Sequence, residues 1–323
     1  MTDGNSFLVS PFPYTLAAIR TALLEWYAAY GRNLPWRHTR DPYQIMVSEI
    51  MLQQTQVDRV MPKYRRFLEL FPTLEALAAA PTADVIRAWT GLGYNRRAVN
   101  MQRAARAVLH EHSGQFPRDL AALLKLPGIG PYTAGALACF AFEQDVAFLD
   151  TNIRRVVQRL FVGPEESTPA SEAQLLTLAE TAVPPGRGWA WNQAIMELGA
   201  LICTAAAPAC WRCPVQMHCR AYADRRAADE QLFSNAADLE PRPIRRVAER
   251  REAPYAGSNR FYRGRAIEAL RRLPPGGSIG LAALGRQIKD SFGDHDMPWL
   301  RALVEGLARD GLLVLAEEQA RLP

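Results

Sequence analysis

The sequence of 323 residues contains no uninterrupted run of 18 apolar residues. A transmembrane helix is therefore not expected, because crossing the hydrocarbon core takes about 20 mostly apolar residues. The N-terminal segment Met1–Tyr14 includes Asp3 and no basic stretch, which argues against a secretory signal. An apolar content of 49% with 22% charged residues is typical of a globular chain and argues against a disordered one. We expect a cytoplasmic protein with no membrane partner.

Lysine is nearly absent, since only three of the 38 basic residues are lysines and the rest are arginines. Residues 241–272 hold ten of those arginines against three glutamates, which gives this segment a charge of +7, more than the +5 of the whole chain. Arginine presents a fork of donors that suits phosphate oxygens. An Arg-rich, solvated linker would have the same composition. Charge alone leaves both interpretations open.

Cysteine is scarce as well, yet four of the five cysteines are clustered in one short segment, in the pattern C-x6-C-x2-C-x5-C. In a cytoplasmic chain such clustering favours a metal site over disulfides. Zinc sites usually pair two short C-x-x-C knuckles, whereas this segment has one, and its uneven spacing suits a larger iron–sulfur cluster. The candidate metal ligands are Cys203, Cys210, Cys213 and Cys219. Cys139 lies in an apolar run and is expected in the core.

Apolar residues recur at helical spacing as far as residue 225, and no alternating strand pattern interrupts them. The pattern predicts an all-α region. Helices are expected from Leu16 to near Gly31 and at 45–52, 57–68, 83–89, 94–112, 119–125, 131–142, 152–161, 171–182 and 188–203.

Helical periodicity is lost after residue 224, and we interpret residues 226–258, rich in Pro, Arg and Ala, as a linker. Helical patterns return near 259–273, 281–292 and 297–310, followed by the apolar run Leu312–Leu315. Three helices and a terminal β-rich tail, in which one strand is legible, predict a small winged-helix-like module at 259–323.

Two glycines stand in the turn Leu126–Gly130, between two short helical patterns. Gly128 and Gly130 let the backbone approach another surface and expose its N–H groups, and Pro131 suits the first position of the next helix. Because helix N-terminal amides favour a phosphate, the segment predicts a helix-hairpin-helix that binds the DNA backbone whatever its sequence. An ordinary helix–helix turn is the alternative.

Two carboxylates are candidate catalytic groups. Glu49 shares a helix face with apolar residues, where a charge should be paired, protonated or functional. Since desolvation raises the pKa of a carboxyl group, Glu49 is a candidate general acid, and a structural ion pair with an arginine fits equally well. Asp150 precedes a predicted helix, so its default role is to cap the first-turn amides. A capping carboxylate stays ionised and can also face a cationic intermediate.

The motifs that carry a family resemblance are Leu34-Pro35-Trp36, Asp41-Pro42-Tyr43, Ser48–Gln56, Gly91-Leu92-Gly93-Tyr94, Leu126–Gly130, Leu149–Asn152 and the four clustered cysteines. Together they resemble the MutY-type adenine DNA glycosylases of the helix-hairpin-helix superfamily, which includes endonuclease III. The resemblance covers about residues 15–225. It implies a six-helix domain at 33–145 beside a [4Fe-4S] domain built from 1–32 and 146–225, with a flipped-out base received between them.

The resemblance implies a monomeric, nucleoid-associated enzyme of base excision repair. It would hydrolyse the N-glycosidic bond of adenine mispaired with 8-oxoguanine or guanine in double-stranded DNA. The implied catalytic residues are Glu49, Asp150, Tyr132 and Asn152, and the implied DNA contacts are Gln54, Tyr94, Gly128, Gly130, Arg212 and Arg220. Glu49 would protonate adenine N7, and Asp150 would stabilise the oxocarbenium-like sugar.

Tyr132 stands where endonuclease III-type lyases carry a lysine, so no Schiff base is expected and water is the nucleophile. Thymine/uracil–guanine mismatch glycosylases can also carry a tyrosine there and are the closest alternative, although they tend to have basic residues where Gln53 and Gln54 stand. An iron–sulfur DNA-binding regulator is less favoured, since it would not need a carboxylate on an apolar helix face. The chain departs from the family pattern at Asn95 and Thr151.

Overall fold

The computed structural model describes residues 16–234 and 255–323. Most of the predicted linker and the part of the +7 segment before residue 255 lie outside the described residues. The stretch that argues against a secretory signal lies outside them as well. In the described part, no helix is both long and apolar enough to cross a membrane.

The described chain divides into two compact units. The first unit comprises residues 16–37 and 134–234, and the second comprises residues 38–133 and 255–323. The helices up to residue 234 are α1 (Leu16–Tyr30), α2 (Pro42–Leu52), α3 (Val57–Leu70), α4 (Leu74–Ala79), α5 (Thr82–Ala88), α6 (Arg96–Glu111), α7 (Leu120–Leu123), α8 (Pro131–Phe140), α9 (Thr151–Val157), α10 (Glu172–Ala182), α11 (Gly188–Leu201) and α12 (Arg220–Ser234). The division at 133/134 falls within α8.

The predicted all-α character is confirmed for residues 16–234, where the structure contains helices and no strand. Two helices were not predicted. α4 has only six residues, too few for apolar periodicity to register. α12 has six charged residues among its fifteen, which interrupt any apolar periodicity, and it continues to Ser234, beyond residue 226, where the linker was predicted to begin. α9 also continues as a π-helical turn, Gln158–Val162.

The C-terminal part of the second unit is winged-helix-like, as predicted. Its elements are α13 (Asn259–Arg271), β1 (Ser278–Gly280), α14 (Leu281–Ile288), α15 (Met297–Arg309), β2 (Val314–Ala316) and β3 (Gln319–Arg321). The strands form an antiparallel sheet of order β1-β3-β2, in which Ala320 of β3 lies opposite both Ile279 and Leu315. Each strand has three residues, which is why β1 and β3 left no readable alternation in the sequence.

The winged-helix-like part shares its apolar core with the helices before it. Ile86 of α5 and Val99 of α6 are buried in one cluster with Leu270 of α13 and Leu307 of α15. At the chain end, the Ala83 N–H donates to the Pro323 carbonyl at 3.2 Å. The module is therefore an integral part of the second unit.

A buried ion pair joins two segments of the first unit. The Glu197 side chain on α11 is fully buried, and Arg32 and Arg37, which follow α1, each donate to it at 2.8 Å. These hydrogen bonds outweigh the effect of burial and lower the pKa of Glu197 to about 2. The pair fixes the chain after α1 against α11.

We expect Glu197→Gln to lower the free energy of unfolding by about 3–5 kcal/mol at pH 7.5, because it leaves buried Arg37 without its counter-charge. Urea denaturation measures the change. Glu69→Gln is the matched control, since Glu69 pairs with Arg66 on the surface, and it should change stability by less than about 1 kcal/mol. The stability from Glu197 is present above its unfolded pKa and should be lost as the pH falls from about 4.5 toward about 2. Equal effects of the two variants would contradict this role.

Candidate active site

Glu49 lies on α2 and is buried, with 3% of its surface exposed. Asp41 caps α2 by accepting from the Tyr43 N–H, and Pro42 occupies the first turn, so the start of the helix is fixed by sequence. The Tyr132 hydroxyl, on the first turn of α8, donates to Glu49 Oε2 at 2.6 Å. The second unit therefore brings together two of the predicted catalytic residues, a buried carboxyl group and a phenol that orients it.

Arg97 organises the chain around the end of α2. Its guanidinium donates to the carbonyls of Ile50 at 2.7 Å and Gln53 at 2.5 Å, and to that of Leu92 at 3.0 Å. Burial lowers the pKa of Arg97 to about 10, so the side chain stays charged at neutral pH. Sequence reasoning missed this residue, because a single arginine at the start of α6 carries no pattern that distinguishes it from its neighbours.

Gln54 and Tyr94, the predicted contacts to the opposite base, both have left-handed backbone conformations, with φ of 53° and 44°. This conformation is unfavourable for residues with a Cβ by about 1–2 kcal/mol, and it tends to persist where a side chain must be aimed. Both side chains are exposed. Gly91 and Gly93, at φ of 87° and 69°, form the turn that leads into Tyr94.

The predicted hairpin consists of α7, a turn at residues 126–130 and α8. Gly128 has φ of 77°, and a Cβ there would lie 2.6 Å from the Cβ of Asn100, so only glycine fits. A Cβ on Gly130 would meet no atom within 4 Å. The exposed Gly130 backbone precedes Pro131 at the start of α8, where free first-turn amides can face a ligand.

Asp150 caps α9 in the first unit. Its Oδ1 accepts from the Ile153 N–H at 2.6 Å, and Asn152 Nδ2 lies 3.3 Å from its other oxygen. Burial raises the pKa of Asp150, and these hydrogen bonds and nearby Arg155 oppose the shift. The cap at Asp150 predicted from the sequence is confirmed, and Asn152 lies beside it.

Arg155 connects this cap to the start of the cysteine segment. It donates to Asn152 Oδ1 at 2.8 Å, to the Gly199 carbonyl at 2.7 Å and to the Cys203 carbonyl at 2.7 Å. A Cβ on Gly199 would lie 2.7 Å from that of Asn152, so α11 packs closely against α9. Sequence reasoning did not identify Arg155 either.

The four clustered cysteines line one small cavity of the first unit. Burial raises the pKa of Cys213 to about 12 and that of Cys219 to about 11, and the neighbouring cysteines add to both shifts. The amides of Val215 and Tyr222 donate to these two sulfurs. Four thiols gathered in one cavity, with amides directed at sulfur, fit a cationic iron–sulfur group that binds them as thiolates.

Two arginines of the cysteine segment were predicted to contact DNA. Arg212 donates to the Leu201 carbonyl at 2.7 Å, and Arg220 forms an ion pair with Asp224 at 3.0 Å. Both guanidinium groups therefore also have structural partners within the first unit.

Comparison with known proteins places these features in a class of DNA repair proteins. Residues 47–180 match the HhH-GPD superfamily of base excision DNA repair proteins. The chain is 43% identical over 250 residues to the adenine DNA glycosylase of Mycolicibacterium smegmatis, covering 77% of this chain and 79% of that protein. It is 41% identical to human adenine DNA glycosylase, covering 69% of this chain and 42% of the human protein. The chain belongs to the adenine DNA glycosylase family.

Solved structures agree with this fold. A thermostable thymine-DNA glycosylase matches with a TM-score of 0.61 and 33% identity, covering 65% of this chain and 97% of that one. Endonuclease III in a non-covalent DNA complex matches with a TM-score of 0.56 at 24% identity, covering 66% and 99%. The predicted helix-hairpin-helix glycosylase fold is confirmed.

Asp150→Asn should leave the fold intact and make it no less stable at pH 7.5, because asparagine caps a helix as well as aspartate does and carries no buried charge. Folded Asp150 takes up a proton at higher pH than in the unfolded chain, so its ionised form destabilises the fold above that pKa. Any gain from the substitution should therefore shrink as the pH is lowered toward 3.8, the ordinary pKa of an aspartate. Thermal melts at several pH values measure it, and a clear loss of stability at pH 7.5 would contradict the burial effect.

Proposed function

We propose that this protein is a monofunctional, monomeric adenine DNA glycosylase. It hydrolyses the N-glycosidic bond of adenine mispaired with 8-oxoguanine or guanine in double-stranded DNA. The observation that carries the proposal is the buried Glu49 carboxyl group held by Tyr132, in a chain of the adenine DNA glycosylase family. Its relatives act in base excision repair, which fits a protein of the nucleoid.

Glu49 acts as the general acid. Its 3% exposure keeps bulk water from the carboxyl group, and Tyr132 fixes one of its oxygens by a short hydrogen bond. Proton transfer to adenine N7 makes the base a better leaving group, since the departing ring no longer carries a full negative charge. Tyr132 is thus a positioning residue for the acid.

Asp150 stabilises the positive charge that develops on the sugar as the bond breaks. The α9 amides and Asn152 donate to this carboxylate and favour its ionised form. An anion held by fixed dipoles is suited to an oxocarbenium-like centre, and it can orient the attacking water. Tyr132 offers no amine for a Schiff base, which supports hydrolysis by water over lyase chemistry.

DNA is held by residues outside the chemical step. The amides around Gly128 and Gly130 hold a phosphate, while Gln54 and Tyr94 lie beside the base opposite the adenine. Their left-handed backbones, kept at the expense of stability, support this role. Arg212 and Arg220 add positive charge near the cysteine segment, and their internal partners hold them in place.

Cys203, Cys210, Cys213 and Cys219 hold a [4Fe-4S] cluster. Base hydrolysis needs no electron transfer, so the role of the group is to fix the segment that carries Arg212 and Arg220. The shared cavity of the four cysteines supports this assignment.

Thymine or uracil opposite guanine is the second candidate substrate. The match to a thymine-DNA glycosylase at 33% identity favours it, and so does the presence of a tyrosine at position 132. Gln53 and Gln54, and greater identity to adenine glycosylases, favour adenine.

Excision assays on duplexes with a single mispair test the proposed substrate and acid. Wild-type protein should release adenine opposite 8-oxoguanine and guanine, and strand cleavage after alkali reports the abasic site. Glu49→Gln should lose at least about 10²-fold in single-turnover rate while still binding DNA, because general acid catalysis is worth about 10²–10⁴-fold. Glu69→Gln, on the surface of the same unit, should cut at the wild-type rate.

Preferential release of thymine or uracil opposite guanine would replace adenine as the substrate. A near-normal rate in Glu49→Gln would remove Glu49 from its role. Neither result depends on whether the enzyme prefers 8-oxoguanine or guanine opposite the adenine. The set of mispaired duplexes measures that preference separately.

Purified protein should be brown, with a broad absorbance near about 400 nm and about four irons per chain. Cys210→Ser should lower the iron content and weaken DNA binding. Cys139→Ala is the matched control, because Cys139 is buried near Asn192 and outside the cysteine cavity. That variant should keep its iron. Colourless protein with stoichiometric zinc would overturn the assignment.

A further inference from the structure

An open groove of about 740 Å³ lies within the second unit, between residues 91–97 and α13. Neither the chemistry proposed for Glu49 nor the hairpin uses it. The arginines that line it are Arg59, Arg96, Arg97, Arg260, Arg263 and Arg271, and its lining residues include no carboxylate. A groove of this composition attracts anions, and its two walls come from α13 and from the segment that ends in Tyr94.

Two of these six arginines, Arg59 and Arg260, are available to bind an anionic ligand. Arg96 and Arg263 share Asp310, which does not line the groove, and Arg271 forms an ion pair with Glu268. Arg97 donates to backbone carbonyls. Arg59 and Arg260 are exposed, and neither has a carboxylate partner among residues 16–234 and 255–323. Arg260 on α13 and Arg59 on α3 therefore present uncompensated positive charge to the groove.

Two tyrosine rings lie close to one of these arginines, Arg260. The Arg260 guanidinium lies 5.6 Å from the ring centroid of Tyr94 and 5.0 Å from that of Tyr255. Arg260 also donates to the Tyr94 hydroxyl at 2.9 Å. The two tyrosines are 46% and 54% exposed, which is high for aromatic residues. Guanidinium groups interleaved with exposed aromatic rings form the usual lining of a groove that holds a nucleic acid strand.

α13 also forms hydrogen bonds to Asn95, which follows Tyr94, and to Ile86 of α5. Arg271, near its C-terminal end, donates to Asn95 Oδ1 at 2.8 Å and to the Ile86 carbonyl at 2.8 Å. Asn95 is one of the two departures from the family pattern, and here it is the acceptor that receives α13. The helix thus holds Tyr94 and Asn95 from opposite ends, about three turns apart.

We propose that this groove binds the sugar–phosphate backbone of the DNA strand opposite the adenine. Arg59 and Arg260 contact its phosphates, Tyr255 packs beside it, and Arg260 also sets the orientation of Tyr94. The choice of strand rests on the proposed function, in which Tyr94 lies beside the opposite base. Through α13 the winged-helix-like part completes the DNA-binding surface of the second unit.

Binding of the full-length protein to a mispaired duplex tests the groove. The adenosine carries a 2′-fluoro group, which slows cleavage and leaves binding measurable. Arg260→Gln and Arg59→Gln should each weaken binding about tenfold at about 100 mM salt and reduce the slope of log Kd against log salt by about 0.9, the value for one lost phosphate contact. Arg286→Gln is the matched control, an exposed arginine on α14 outside the groove, and should change Kd less than about twofold.

Neutral methylphosphonate linkages, placed singly in either strand, identify the phosphate. At one position in the strand opposite the adenine, the substitution should weaken wild-type binding about tenfold and have no further effect on Arg260→Gln. Arg59→Gln should show the same loss of effect at a neighbouring position. The double-mutant comparison reports direct contact, which a general loss of stability would not reproduce.

The proposal is overturned if Arg260→Gln and Arg59→Gln behave like Arg286→Gln, or if the coupled phosphate lies in the adenine strand. Should Arg260→Gln fail to fold, Arg59→Gln decides alone, because its side chain has no structural partner in the described chain. If the wild-type protein did not excise adenine, the proposed function would be wrong. The binding measurements would still decide whether Arg260 and Arg59 contact a phosphate.

Discussion

The second unit depends on one half-buried guanidinium, that of Arg97. It donates to carbonyl groups at the end of α2 and in the turn before Tyr94. The same guanidinium therefore holds both the helix that carries Glu49 and the segment that carries Tyr94. A cation at the C-terminal end of a helix also faces the negative end of the helix dipole. Left-handed residues persist only where their surroundings determine them fully, and Arg97 supplies that constraint beside both Gln54 and Tyr94.

The carboxyl groups of Glu49 and Asp150 have different hydrogen-bond partners. Glu49 is held by a phenol on an otherwise apolar helix face, an environment for a group that gives up a proton. Asp150 is held by backbone amides at a helix start, which favour its ionised form against the opposing effect of burial on its pKa. These two environments underlie the roles proposed above, general acid for Glu49 and electrostatic partner for Asp150.

Sequence analysis identified the residues whose chemical type is unusual for their neighbours in the sequence. A carboxylate among apolar residues, a hairpin with two glycines and four cysteines in one short segment each stand out without coordinates. Arg97 and Arg155 do not, because they are ordinary arginines among many, and their importance comes from carbonyls that the fold brings to them. Strands β1 and β3 were unreadable for a related reason, since they gain their stability from the sheet and the cluster around Leu270 and Leu307.

The shared core of the winged-helix-like part has a consequence for synthesis of the chain on the ribosome. Ile86 and Val99 emerge well before the residues that cover them, which run from Ala266 to Leu322. Their apolar surface stays open to solvent until those residues have emerged, and such surfaces are prone to aggregation. A nascent chain that stops before α13 lacks both the cover for this patch and the arginines that fasten Tyr94 and Asn95. The contacts of α13 with Tyr94 and Asn95 can therefore form only after the helices that carry Glu49 and Tyr132 have been made.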